Sequence, residues 1–128
     1  MSPGLIAATV QETDLAGHEE SPERYAEVLR TADTLIGQVL SRLTAEDLLI
    51  LTADHGNDPT TGHRNHTREM TPVLAFRKGR TAKDLGLCRT LADTGATIAD
   101  YLGAGRTEAG ESYLGALEGT SFDRSTCA

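Results

Sequence analysis

At 128 residues the chain has the size of one domain, and a fold of that size buries roughly two-thirds of its unfolded surface, so a core is attainable without disulfide or zinc staples. Nineteen Asp and Glu against 12 Lys and Arg leave a net charge of −7, the wrong sign for non-specific binding to nucleic acid or to an anionic membrane surface. The longest clean apolar run, Leu48-Leu49-Ile50-Leu51, is far below the roughly 18 residues of a membrane span; nothing resembles a signal peptide, and Cys88 and Cys127, without metal-ligand spacing, read as free thiols of a reducing cytoplasm.

Gly4 to Val10 reads as a short buried strand, apolar on both faces, and Gln11 to Glu20, polar and containing Gly17, as a loop. Ser21-Pro22 starts a helix, with Ser as N-cap, Pro at the first helical position and Glu23 in the positive first turn. Tyr25, Val28, Leu29, Ala32, Leu35, Ile36, Val39, Leu40 and Leu43 then recur at three- and four-residue steps, an amphipathic helix of about six turns. Leu48 to Ala53 is apolar without alternation, as in a strand covered on both faces of a parallel sheet. Strand, helix, strand in that order predicts a right-handed βαβ unit. Asp54 to Met70 is a long polar loop, and Pro72 to Phe76 a third strand with Pro at its first residue, where a missing N–H is tolerated. After a basic loop, Arg77 to Leu87, the residues Leu91, Gly95, Ile98 and Leu102 mark a second helix stopped by Gly103 at C′. Gly110 to Leu117 is expected to form a turn or short helix, and residues 119–128 a polar, disordered tail.

The residues that carry chemistry are concentrated in two loops. Three of the four histidines follow the second strand, in Asp54-His55-Gly56-Asn57-Asp58-Pro59 and Gly62-His63-Arg64-Asn65-His66-Thr67-Arg68-Glu69. The fourth follows the first strand, in Asp14-Leu15-Ala16-Gly17-His18. In open α/β sheets ligands bind outside the carboxyl ends of the strands, so two Asp/His pairs and His66 are expected on one rim. Such a mixed nitrogen and oxygen donor set suits Mn²⁺, Zn²⁺ or Fe²⁺ and, less well, Mg²⁺. Asp54 and His55 can share a site only if the strand ends near Ala53 and the chain turns, a turn for which Gly56 is expected to supply a positive φ. His63 reads as a solvated loop imidazole. Arg68 and Glu69 read either as a pair that fixes a ligand or as a surface ion pair.

Asp54-His55-Gly56-Asn57-Asp58-Pro59 followed by His66-Thr67-Arg68-Glu69 resembles the metal-binding signature of phosphopentomutases, in the alkaline phosphatase superfamily. The likeness extends to Gly4-Leu5-Ile6, Gly17-His18, Tyr25-Ala26, Asp47-Leu48-Leu49-Ile50, Pro72-Val73-Leu74, Leu91-Ala92-Asp93, Thr97-Ile98 and Gly110-Glu111-Ser112-Tyr113-Leu114, nearly the whole chain up to about Leu117. The resemblance implies an isomerase that moves a phosphoryl group within ribose or deoxyribose phosphate, using two divalent ions, usually Mn²⁺, and a phosphorylated threonine. By position, Asp54 and His55 would hold one ion and Asp14, His18 and His66 the other, with Asn57, Asp58, Thr67, Arg68 and Glu69 supporting them. Paired ions of this kind clamp the attacking and leaving oxygens of an in-line displacement.

Two departures accompany the likeness. Asp14 precedes His18 by four residues, whereas phosphopentomutases proper have five; four is similar to cofactor-independent phosphoglycerate mutases. The family's nucleophilic threonine and a further metal-binding aspartate precede a cap domain that contacts substrate, and none of these has a counterpart here. Residues 1–118 therefore look like the C-terminal part of an alkaline phosphatase-like metalloenzyme core. The expected fold is α/β, a partial doubly wound and mostly parallel sheet of three strands and two main helices, with an apolar edge or face left for the missing N-terminal portion or a partner chain. The expected substrate is a phosphorylated pentose, the expected setting the cytoplasm. Another metal-dependent phosphomutase or phosphatase of the superfamily, or an inactive metal-binding fragment, is the alternative. Thr52, Thr60, Thr61 and Thr67 lie near the site and read as structural rather than nucleophilic.

Overall fold

The computed structural model describes residues 4–119, which form four helices and two strands: α1 (Glu12–His18), α2 (Pro22–Arg42), β1 (Leu48–Thr52), β2 (Val73–Arg77), α3 (Ala92–Tyr101) and α4 (Leu114–Glu118). The class is α/β, as the sequence predicts. Of the expected 119–128 tail, all but Gly119 lies outside the described residues.

Two elements differ from expectation. Residues 4–10 form no strand; Leu5 and Ile6 are exposed, Ile6 almost fully. A strand exists only through ladder partners, and β1 and β2 pair with each other in a two-stranded antiparallel sheet. The βαβ unit and its parallel pairing are accordingly not formed among the described residues. Residues 12–18, expected as loop, are helical. Glycine in a helix interior is unfavourable, so Gly17 masks α1 in the sequence; in the structure Gly17 is buried within the helix.

α2 begins as predicted. The Ser21 hydroxyl accepts from the Arg24 N–H at 3.2 Å, with Pro22 at the first helical position and Glu23 in the first turn. The apolar stripe is present, but only Val28 is buried; Leu29, Leu35 and Val39 are each more than 40% exposed. β2 alternates, with Leu74 and Phe76 outward. Its N-terminal end is one residue later than predicted.

The chain divides into two compact units, one of residues 4–5, 48–50 and 75–119 and the other of residues 6–47 and 51–74. In the first, α3 packs against α4 around the buried Thr97 and Tyr113. The Thr97 hydroxyl donates to the Asp93 carbonyl at 2.7 Å and accepts from the Tyr113 N–H at 3.0 Å. The buried Asp93 carboxylate accepts from the backbone N–H groups of Arg89, Thr90 and Glu111 at 3.0, 3.3 and 2.9 Å, which ties the segments on either side of α3 to its first turn. Gly103 stops α3 as predicted: at φ +66 it lets its own N–H reach the Asp100 carbonyl and that of Ala104 reach Ala99, satisfying the last carbonyls. In the second unit α1 packs on α2, and the loop after β1 returns to α1. That return builds the site.

Candidate metal centre

β1 ends at Thr52, and Asp54 and His55 follow in the turn, where neighbouring side chains are freed from opposite faces. The loop then closes on itself through an antiparallel bridge between Gly56 and Thr67, with the Thr67 N–H donating to the Gly56 carbonyl at 2.9 Å. Gly56 is not in the left-handed region, so the positive φ expected of it is corrected. Its lack of a side chain is required for space instead. A Cβ there would lie 3.0 Å from the Thr67 carbonyl oxygen and 2.9 Å from the Glu69 N, and would overlap the Glu69 carboxylate.

The bridge delivers His66 beside His55, the two rings stacked at 3.7 Å and 18°. α1 contributes the other two ligand candidates on one face, four residues apart. His18 Nε2 lies 3.3 Å from Asp14 Oδ2 and 3.2 Å from His66 Nε2, and His66 Nε2 lies 3.4 Å from Asp14 Oδ1. Asp54 Oδ2 stands 3.6 Å from His55 Nε2 and is largely open to solvent. Asp14, His18, His55 and His66 are thus brought together, while among the described residues Asp54 touches only its sequence neighbour His55. One three-donor grouping, within 4.8 Å, is Asp14, His55 and His66, drawn from both of the ligand sets that the resemblance implies.

The donor chemistry fits a cation. His18 Nδ1 hydrogen-bonds the Arg64 carbonyl at 2.7 Å; as donor, it leaves the Nε2 lone pair facing His66 and Asp14. His55 Nδ1 makes the same kind of bond to the Gly56 carbonyl at 3.3 Å. Lone pairs of imidazoles and a carboxylate directed at one spot repel unless a proton or a metal ion lies among them. Partial burial pushes the Asp14 carboxyl up, but the hydrogen bond from Asn57 and the nearby imidazoles of His18, His66 and His55 outweigh it and hold Asp14 below its ordinary range. Asp14 therefore presents a charged carboxylate to the cluster.

The supporting residues divide by what they touch. The Asn57 amide donates to Asp14 Oδ1 at 2.8 Å and to the Asp14 carbonyl at 3.0 Å. Asp58 is turned away from the cluster: its carboxylate accepts from the N–H and hydroxyl of Thr60 at 2.8 and 2.7 Å, which draws it below the usual carboxylate range and holds the loop's turn. The Thr67 hydroxyl accepts from the Asp58 N–H at 2.9 Å and donates to Glu69. Glu69 pairs with that hydroxyl, and Arg68 makes no ion pair among the described residues, so the Arg68–Glu69 pair is not formed. His63 Nδ1 accepts from the Asn65 N–H at 3.3 Å, a local turn role. Thr52, Thr60, Thr61 and Thr67 each donate to a neighbouring oxygen.

Gly17 and Arg64 were not legible as contributors. Arg64 acts through its main-chain carbonyl, which leaves no residue-type signal; its guanidinium pairs with Glu20 at 3.3 Å. Gly17 is marked in the sequence only by the Gly17-His18 likeness, which carries no sign of the space it leaves for Asn57.

Comparison with known proteins gives the same direction. The model of the metalloenzyme superfamily matches residues 3–106, most of the chain. The chain belongs to the metalloenzyme superfamily. This metalloenzyme chain is 45% identical over 112 residues to the phosphopentomutase of Anaeromyxobacter sp. (strain K), covering 87% of this chain and 29% of that protein. It is 43% identical over 117 residues to that of Desulfitobacterium hafniense (strain DSM 10664 / DCB-2), with 90% and 30% covered, and 43% identical over 113 residues to that of Symbiobacterium thermophilum, with 87% and 29% covered. The chain therefore spans about 30% of the length of the curated relatives it matches.

Proposed function

We propose that this chain is the C-terminal, metal-binding part of a phosphopentomutase-like isomerase that interconverts (deoxy)ribose 1-phosphate and 5-phosphate in the cytoplasm. The observation that carries the reading is the convergence of Asp14, His18, His55 and His66, with Asp54 beside His55, in a chain 43–45% identical to proteins named phosphopentomutase. Asp14, His18 and His66 hold one divalent ion and Asp54 with His55 the other, Mn²⁺ by preference, with Zn²⁺ or Mg²⁺ as substitutes. Bound ions supply Lewis acidity and neutralise charge on a transferring phosphoryl group. The chain's own residues prepare for that: Arg64 and Gly56 carbonyls direct the imidazole lone pairs inward, and the open side of Asp54 leaves room for a phosphorylated ligand.

The phosphorylated threonine and the substrate-contacting cap belong, in this reading, to an upstream portion of a longer protein, and the relatives are about three times the length matched here. The same portion completes the doubly wound, mostly parallel sheet, drawing residues 4–10 into a strand and covering the exposed stripe of α2. Consistent with a cytoplasmic enzyme, no helix among the described residues is long and apolar enough to cross a membrane, and the net charge disfavours nucleic acid. The four-residue Asp14–His18 spacing favours one other reading, a different phosphomutase of the superfamily.

The test has two parts. In a coupled assay with ribose 1-phosphate and Mn²⁺, the 128-residue chain alone should give no turnover, and turnover should appear once an upstream polypeptide bearing the threonine motif is supplied. The genomic sequence upstream of Met1 should contain that motif in frame. An adjacent in-frame stop, with metal binding but no activity in the reconstituted mixture, would instead establish an inactive metal-binding fragment.

A further inference from the structure

The loop after β1 and the helix α1 each bring ligand candidates to the centre, and beside the His18–Arg64 bond and the His66 contacts a side chain that is not itself a ligand candidate is bonded across the gap. Asn57 lies two residues beyond His55, and its amide nitrogen reaches both the carboxylate and the main-chain carbonyl of Asp14, at 2.8 and 3.0 Å. A single NH₂ group on two oxygens of one residue restrains that residue's rotamer together with its backbone. The approach is possible because the next turn of α1 is bare: a Cβ on Gly17 would overlap the Asn57 amide group. Glycine is among the poorest helix formers, yet Gly17 is buried within a helix of seven residues. The close fit of the amide accounts for its presence.

We infer that Asn57 is a positioning residue that clamps Asp14 of α1 to the Asp54–His55 loop, and that Gly17 is the gap through which it reaches. The inference rests on the metal reading above. The clamp fixes the Asp14 oxygens relative to His55 and His66 before any ion arrives, so the ordering of the site is not left to the metal. Residues that orient ligands in this way commonly change metal affinity 10–100-fold when removed.

The experiment uses the 128-residue chain, with Mn²⁺ titrated by calorimetry and Co²⁺ as a visible-absorption probe of ligand geometry. Asn57→Ala should weaken Mn²⁺ binding by about 10–100-fold and alter the Co²⁺ spectrum, with helical circular dichroism retained. Gly17→Ala, which removes no polar group, should weaken binding similarly by displacing the amide, and it decides the matter where Asn57→Ala does not fold. The double variant should be no weaker than Asn57→Ala alone, because the group that clashes is already gone. Parent-like Mn²⁺ affinity in Asn57→Ala, or losses that multiply in the double variant, overturn the clamp. If the parent chain binds no Mn²⁺, it is the metal reading that fails. The clamp is then decided in the metal-free chain by hydrogen exchange of the α1 amides: faster exchange in Asn57→Ala upholds it, parent-like exchange overturns it.

Discussion

Alanine at Gly56 is expected to damage the centre through its neighbour in space, not through any lost contact. The added Cβ meets the Glu69 carboxylate, the Glu69 N at 2.9 Å and the Thr67 carbonyl oxygen at 3.0 Å. The carboxylate can swing aside, but the two backbone atoms cannot move independently. Ordinary contact begins at 3.4 Å, so the Thr67–Glu69 segment must retreat by about 0.4–0.5 Å. Thr67 directly follows His66, and its N–H is bonded to the Gly56 carbonyl, so the displacement reaches the His66 ring. Metal–ligand distances are held to about 0.2 Å, at most half of that retreat. Mn²⁺ affinity should fall at least about ten-fold, ~1.4 kcal/mol, and overpacking should cost a further 1–3 kcal/mol or so of stability. Calorimetric titration gives the first quantity and thermal unfolding without metal the second. Gly37→Ala is the control: nothing lies within 4 Å of its Cβ position on exposed α2, so it should gain up to about 1 kcal/mol of stability and bind Mn²⁺ as the parent does. A Gly56→Ala chain whose Mn²⁺ affinity stays within about two-fold of the parent would refute the account of the bridge.

Lowering the pH should weaken Mn²⁺ binding progressively, because protons compete with the ion for ligand lone pairs; Asp14, held below the usual carboxylate range, resists that competition, and calorimetry from pH 5 to 8 or so checks this. Asp93→Ala removes the buried acceptor of three backbone N–H groups and should cost roughly 3–5 kcal/mol in urea unfolding, with Asp93→Asn less severe. Tyr113→Phe concerns alkaline stability. Burial pushes the Tyr113 phenol above its ordinary pKa, outweighing its hydrogen bond to Thr94, with Cys88 and Asp93 adding to the rise. The folded form thus favours the protonated phenol, whose contribution is complete below pH about 10 and is lost as pH rises through the raised value. The parent should lose more stability than Tyr113→Phe between pH about 9.5 and 11.5, and parallel curves would contradict the assignment.

Local signals in the sequence were sufficient wherever the physics is local. Ser21-Pro22 starts α2 because a hydroxyl and a ring satisfy the N-terminus without outside help. Gly103 ends α3 because only the chain's own carbonyls are involved. The Asp-His pattern was legible as ligand chemistry because donor type belongs to the residue, wherever the chain carries it. Residues 4–10 show the limit: they have the apolar composition of a strand, but a strand is defined by a neighbour, and β1 and β2 pair with each other. The α2 stripe repeats the lesson, its spacing setting which face is apolar and not what covers it. Only the tertiary structure decided that Asp14 and His18 lie on a helix, that Gly56 is needed for space and not for its φ, and that Asn57 reaches Asp14 across 43 residues of chain. The last two depend on segments distant in sequence meeting within van der Waals range, and such a meeting has no signature in either segment alone.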